Sequence, residues 1–277
     1  MYLDSILQAC MAAVGKDKDS WRYTSGSTVA STWSFVLTGT MIYLILVFGG
    51  KAVMKNFKPL ELNAYTQFHN IYLSVISGLL LALFFEQLLP NLSQHGLFWS
   101  ICDRDAWTQK LELLYYINYM IKWIEFIDTF LLVLKKKKTP FLHVYHHSMT
   151  MILCFTQLEG TTSVSWVPVT INLLVHVIMY YYYYLTAIGV RVWWKKLVTA
   201  VQIIQFVIDL GFVYFCSYNV FVDNYKVNLP YVGSCRGSEF AAIFGCLLLS
   251  SYLLLFVNFF VNTYKRSVNA VRGKKNN

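Results

Sequence analysis

The 25 residues Phe240–Tyr264, FAAIFGCLLLSSYLLLFVNFFVNTY, contain no charged side chain. An α-helix rises about 1.5 Å per residue and the hydrocarbon core of a bilayer is about 30 Å thick, so such a run reads as a membrane span. Comparable blocks lie outward along the chain near 31–50, 64–89, 114–134, 140–157, 166–188 and 198–218; with 239–262 they make seven predicted spans. The 140–157 block is the shortest, and it holds three histidines. Composition agrees: 57% of the 277 residues are hydrophobic and 13% are charged, against about 25% charged in an ordinary soluble domain. No linker, low-complexity stretch or internal repeat divides the chain. The expected architecture is all-α and polytopic: an N-terminal segment 1–30, one transmembrane domain 31–264 and a basic tail 265–277.

The net charge of +9 is distributed as a topology signal rather than as a nucleic-acid surface. Lys51, Lys55 and Lys58 follow the first span, Lys135 to Lys138 the third, and Arg191, Lys195 and Lys196 the fifth. Lys265, Arg266, Arg272, Lys274 and Lys275 follow the seventh. Fifteen basic residues thus fall on one side against seven on the other, with Lys122 inside a span. This bias assigns the lysine-rich loops to the cytosol, the N-terminus to the lumen and the C-terminus to the cytosol. Residues 1–30 are mixed and polar, without the pattern of a cleavable signal peptide. The ending Lys274-Lys275-Asn276-Asn277 matches a dilysine retrieval signal, so the expected location is the endoplasmic reticulum membrane.

Cys102 and Cys235 fall in loops assigned to the oxidising lumen, as a bridge or as two unpaired loop thiols. The sequon at Asn91 is on the same side, too close to a span end for use. Pro59, Pro90, Pro140 and Pro230 read as loop or span-edge residues, where a missing N–H costs little, and Pro168 opens the fifth span.

Ionisable groups in hydrocarbon are costly and tend to mark function. The third predicted span carries Lys122, Glu125 and Asp128, spaced three apart on one broad helical face. The fourth opens with His143, His146 and His147, the fifth has Asn172 and His176 one turn apart, and the sixth has Gln202 and Gln205. Counted from the cytosolic ends, Asp128, the three clustered histidines and the two glutamines lie at similar depth, with His176 deeper. Neutral imidazole serves as base, nucleophile or metal ligand. Metal binding of the membrane di-iron desaturase type needs about eight histidines, and this chain has six, with His95 in a loop and His69 alone in the second span. Metal-free acyl transfer by histidine is the second enzyme reading. A transporter with a titratable centre is a third, but no inverted repeat supports it. Cys154, two turns beyond His147, is too far along its own helix for direct activation by the box.

Four collinear motifs resemble the fatty acid elongase (ELO) family: Lys122-Trp-Ile-Glu125-Phe-Ile-Asp128-Thr129, Phe141-Leu-His143-Val-Tyr-His146-His147, Asn172-Leu-Leu-Val-His176-Val-Ile-Met179-Tyr180 and Gln202-Ile-Ile-Gln205-Phe206. Lys58-Pro59 with His69-Asn70 is similar to its second-span segment, and the stretch from Thr156 to Pro168 looks most like the fungal branch acting on saturated and monounsaturated chains. The resemblance implies seven helices around a closed-ended acyl-chain tunnel with coenzyme A at the cytosolic mouth. It implies very-long-chain 3-oxoacyl-CoA synthase activity through an acyl-imidazole on His146, with His176 facing the same carbons. Supporting catalytic roles are expected for His143, His147, Glu125 and Asp128, and substrate-binding roles for Lys122, Asn172, Tyr180, Gln202, Gln205 and Lys196. No cofactor or metal is expected. Expected partners are acyl-CoA, malonyl-CoA, membrane lipid, the reductase and dehydratase of the elongation cycle and a second copy of the chain, with no nucleic acid.

Overall fold

The computed structural model describes residues 2–13, 15 and 17–265; the dilysine ending lies outside them. Every regular element among the described residues is helical. In order they are α1 (Tyr2–Ala13), α2 (Trp33–Met54), α3 (Asn63–Cys102), α4 (Gln109–Ile124), α5 (Phe126–Leu134), α6 (Phe141–Glu159), α7 (Trp166–Ala187), α8 (Lys195–Asn224) and α9 (Glu239–Phe260). A 3₁₀ turn (Ser163–Ser165) leads into α7, and a π-helical turn (Val261–Lys265) extends α9. Five stretches are long and apolar enough to cross a membrane: Trp33–Met54, Asn63–Cys102, Ser163–Ala187, Lys195–Asn224 and Glu239–Tyr264. The other two predicted spans correspond to α4–α5, which breaks at Glu125 and carries several charges, and to the histidine-bearing α6.

Helix α2 shows the inversion that lipid imposes. Val36, Thr40, Tyr43 and Val47, spaced four, three and four, are buried on one stripe. Phe35, Met41, Ile45 and Phe48 face outward and are more than half exposed, an arrangement that water would penalise and hydrocarbon does not. Thr32 caps the helix by accepting from the Phe35 N–H at 3.3 Å, as a threonine at this position commonly does.

Two sequence expectations are corrected on α3. Pro90 lies inside the helix rather than at its edge, and His95 is helical rather than in a loop, its ring 4.3 Å from that of Trp99. The departure from helical geometry comes six residues past the proline, at Gly96, whose φ of 80° is open to glycine and costly for other residues. The turn beyond it ends at Cys102, which forms a disulfide with Cys235. The thiol of Cys216 lies 3.9 Å from Cys102 Sγ.

The chief helix contacts are α3 with α7, α8 with both α9 and α7, α6 with both α4 and α9, and α2 with α5. At the disulfide-bearing end the N-terminal segment seals the bundle. Glu112 receives Arg22 Nη1 at 3.2 Å, the Tyr23 N–H at 2.7 Å and Trp107 Nε1 at 3.1 Å. The Tyr119 hydroxyl donates to the Ala30 carbonyl at 2.8 Å. Close to this end α6 and α9 approach so tightly that a Cβ on Gly160 would lie 2.6 Å from Ala241 Cβ and 2.7 Å from Ser238 Oγ. Gly160→Leu is therefore expected to destabilise the protein by about 1–3 kcal/mol through overpacking, read as a lower Tm in detergent.

Candidate active site

The interruption between α4 and α5 creates the polar centre. Glu125 sits at the joint, its N–H still donating to the Ile121 carbonyl at 2.9 Å, and Asp128 falls in the first turn of α5. The two carboxylates then serve different partners. Glu125, 2% exposed, accepts from Lys122 Nζ at 2.8 Å and lies 3.2 Å from His176 Nδ1 and 4.0 Å from His147 Nδ1. Lys122 Nζ also donates to Asn172 Oδ1 at 3.0 Å, and Asn172 Nδ2 lies 3.2 Å from His176 Nε2. One buried carboxylate, one ammonium and an amide thereby tie α4 to α7. Charges this deep persist only because each has its counter-charge and hydrogen bonds in place.

Asp128 takes a second set. Its Oδ1 lies 2.7 Å from His69 Nε2, its Oδ2 accepts from the Tyr180 hydroxyl at 2.7 Å, and His147 Nε2 is 3.9 Å from the same oxygen. His69 is therefore not alone, as the sequence reading had it. It joins α3 to α5 at the centre, and the signal that pointed to it was the same rule that flagged the other intramembrane ionisable groups. Tyr180, one of the residues expected to touch substrate, stands with its hydroxyl on Asp128. His143 Nε2 lies 3.1 Å from Thr129 Oγ1, which is 2.9 Å from the Tyr43 hydroxyl.

His146 is placed differently from its neighbours. Its ring is flanked by those of Tyr252, Phe206 and Phe256 at centroid distances of 4.8, 6.4 and 5.8 Å. Thr150 Oγ1, one turn on, lies 3.5 Å from its Nδ1 and 3.0 Å from the Tyr252 hydroxyl. The Tyr252 hydroxyl in turn donates to the His146 carbonyl at 3.3 Å. Neither Thr150 nor Tyr252 stood out in the sequence, because a threonine or tyrosine in a span is usually packing or glue.

Two cavities meet here. The wider, of about 650 Å³, is walled by His143, His146, His147, Asp128, Asn172, His176, Gln202 and Gln205, and toward its mouth by Lys135, Lys137 and Lys195. The narrower, of about 80 Å³, runs toward the disulfide-bearing end and is lined mainly by apolar groups with Lys122, Cys154 and Asp209. His146, Asn172, Gln205 and Phe206 wall both. Glu125, Tyr180 and Lys196 are not among the wall residues of either; Lys196 Nζ instead lies 5.7 Å over the Phe260 ring, and its neighbour Lys195 takes the place on the wall. At the mouth Lys135 Nζ donates to Asn63 Oδ1 and Thr66 Oγ1 at 3.1 and 3.2 Å. Partial burial and then the Lys137 charge hold its pKa below the ordinary lysine value. Gln202 Nε2 points at Met179 Sδ, 3.3 Å away.

The family sequence model described as ELO, the GNS1/SUR4 family, matches residues 28–272. A Schizosaccharomyces pombe protein named "Putative fatty acid elongase 1" is 48% identical over 275 residues, covering 98% of this chain and 82% of its own. Fatty acid elongase A of Dictyostelium discoideum is 34% identical over 261 residues, 93% of each chain. Long chain fatty acid elongase 1 of Caenorhabditis elegans is 28% identical over 257 residues, 90% of this chain and 86% of its own.

Proposed function

The chain belongs to the GNS1/SUR4 (ELO) family of fatty acid elongases, and from that premise we propose that it is the condensing enzyme of elongation, a 3-oxoacyl-CoA synthase. The observation that carries the proposal is the position of His146, at the junction between a wide cavity with a lysine-bearing mouth and a narrow, mainly apolar one. Acyl-CoA has the same two-part character. Its coenzyme A lies in the wide cavity with phosphates toward Lys135, Lys137 and Lys195, its chain enters the narrow one, and its thioester comes to rest at His146. Thr150 engages Nδ1 and leaves Nε2 free to attack.

In the first half-reaction His146 forms a bond to the acyl carbon, the C–S bond breaks and CoA leaves as thiol with a proton. In the second, malonyl-CoA loses CO2, and the resulting enolate carbon attacks the acyl-imidazole. A carbon–carbon bond forms, the acyl–nitrogen bond breaks with the released imidazole taking up a proton from water, and the product is a 3-oxoacyl-CoA two carbons longer. Asn172 and His176 stand where they can stabilise the enolate oxygen, while Glu125, Asp128, His143 and His147 orient the imidazole layer. The positive-inside bias supports an endoplasmic reticulum orientation with the mouth in the cytosol and the disulfide in the lumen. The resemblance of the Thr156–Pro168 stretch to the fungal branch supports saturated or monounsaturated chains, extended to very long lengths, as substrates. A 3-oxo product requires a reductase and a dehydratase to follow, and a second copy of the chain is a further expected partner.

The test is a panel of acyl-CoAs with labelled malonyl-CoA, given to the purified protein. Two-carbon-longer 3-oxo products are expected without nicotinamide or added iron, and a strong iron chelator should leave the rate unchanged. Activity lost to the chelator and restored by iron would transfer the reading to desaturase-like chemistry.

A further inference from the structure

We propose that the narrow cavity accepts acyl chains carrying a hydroxyl group in their proximal part, with Asp209 as the principal partner of that hydroxyl. The proposal rests on the reading of this cavity as the acyl tunnel. A tunnel for plain hydrocarbon requires no polar wall atoms, yet three buried atoms without a hydrogen-bond partner belong to residues that line it: Asp209 Oδ1, Asn118 Oδ1 and Ser165 Oγ. Asp209 is 0% exposed, Asn118 3% and Ser165 4%. Each amide or carboxyl is half used. Asp209 Oδ2 accepts from Gln205 Nε2 at 3.3 Å, and Asn118 Nδ2 donates to Cys154 Sγ at 3.6 Å, while the other oxygen is left over.

Buried polar atoms without partners are rare in native proteins and call for an explanation. A plain methylene chain in this cavity offers these oxygens no donor and leaves them unpaired. Their chemistry selects the missing group. The Asn118 oxygen can only accept, so the occupant must donate, which excludes an ether, epoxide or ketone. An ammonium on the chain would be a costly charge in a mainly apolar wall. A hydroxyl both donates and accepts, and so suits Asp209 whether its carboxyl is ionised or not. Because the folded protein has already dehydrated the acceptors, the main cost of pairing is dehydration of the substrate's own hydroxyl.

Helix geometry gives the depth. Gln205 lies at the junction with His146, and Asp209 follows it by four residues, about 6 Å along the axis. Asn118 is displaced from Lys122 by the same one turn, whereas Ser165 precedes Asn172 by seven residues, about 10 Å. The Asp209 and Asn118 level corresponds to chain carbons a short way beyond the thioester.

The experiment uses the full-length purified chain, malonyl-CoA, hexadecanoyl-CoA and a series of hexadecanoyl-CoAs with one hydroxyl moved along the chain. The rate constant kcat/KM is read on the wild type, and Kd by calorimetry on His146→Ala, which cannot form the acyl adduct. At one or two adjacent proximal positions the hydroxylated chain should be favoured over the plain one by about tenfold, the scale of one net hydrogen bond to a buried acceptor. In Asp209→Leu that ratio should fall to one or below, while Asp209→Asn, which keeps the shape and an acceptor, should retain part of it. If the leucine variant does not fold, a preference lowered but not abolished in Asp209→Asn carries the same conclusion. Elongation of the plain chain with no hydroxyl preference at any position, in rate or in Kd, overturns this inference alone and makes the wall oxygens water sites. So does a preference unchanged in both Asp209 variants. A hydroxyl preference in Kd without any elongation keeps the site and instead overturns the condensing function.

Discussion

In His146→Ala, malonyl-CoA-dependent elongation is expected to fall by about 10⁴-fold or more, the scale on which loss of a nucleophile acts. The reason is positional. Of the three clustered histidines, His146 alone walls both cavities, whereas His143 and His147 wall only the wide one and are engaged with Thr129 and with the two carboxylates. Incubating wild-type protein with acyl-CoA alone should release about one equivalent of CoA and leave a labile acyl adduct. His146→Ala should lose both while its thermal unfolding in detergent stays near wild type. The competing nucleophile is Cys154, which lines the narrow cavity and meets Asn118 Nδ2 at 3.6 Å. An adduct that persists in His146→Ala and vanishes in Cys154→Ala would move the acyl carrier to the cysteine.

Glu125→Ala is expected to produce the largest loss of stability, about 3–5 kcal/mol, because it strands a buried ammonium. Lys122 is 2% exposed, and its remaining partner, Asn172 Oδ1, is neutral. The same substitution removes the carboxylate beside His176 and His147. Thermal unfolding in detergent gives the readout, and the paired change Lys122→Met with Glu125→Leu separates the contributions. Removing both charges together should restore much of the stability, since an apolar pair of similar volume avoids the desolvation cost, but it should not restore turnover. A double variant as unstable as Glu125→Ala would mean that shape, rather than the unpaired charge, sets the loss.

The membrane class and the layer of polar groups were legible in the sequence because both are local signals. A charge-free run such as Phe240–Tyr264 is long enough to cross hydrocarbon whatever its neighbours do. An ionisable residue inside such a run is conspicuous wherever it points, which brought Glu125, Asp128, His143, His146, His147 and His176 together on paper as they are together in space. The same rule applied to Asp209 would have found it, but it sat in a span read for its glutamines. Helix ends and breaks were harder. Glu125 leaves the third predicted span as two helices, and α3 runs through Pro90 and departs from helical geometry only at Gly96, since a single proline or carboxylate fits several local outcomes.

Tertiary structure alone decided which groups meet. His69 and Asp128 are 59 residues apart, Tyr180 and Asp128 52, and Thr150 and Tyr252 102. Each meeting depends on the rotation of one helix about its axis relative to another. That rotation follows from close packing over the whole interface, as where Gly39 leaves room for the Trp123 ring and Gly160 lets α6 reach α9. Periodicity along one chain places His143, His146 and His147 on a broad face. The orientation of α6 against α8 and α9 then seats His146 among Phe206, Tyr252 and Phe256, where it walls both cavities. The rotations of α8 and α7 likewise put Lys195 rather than Lys196 on the wall and turn the Tyr180 hydroxyl to Asp128.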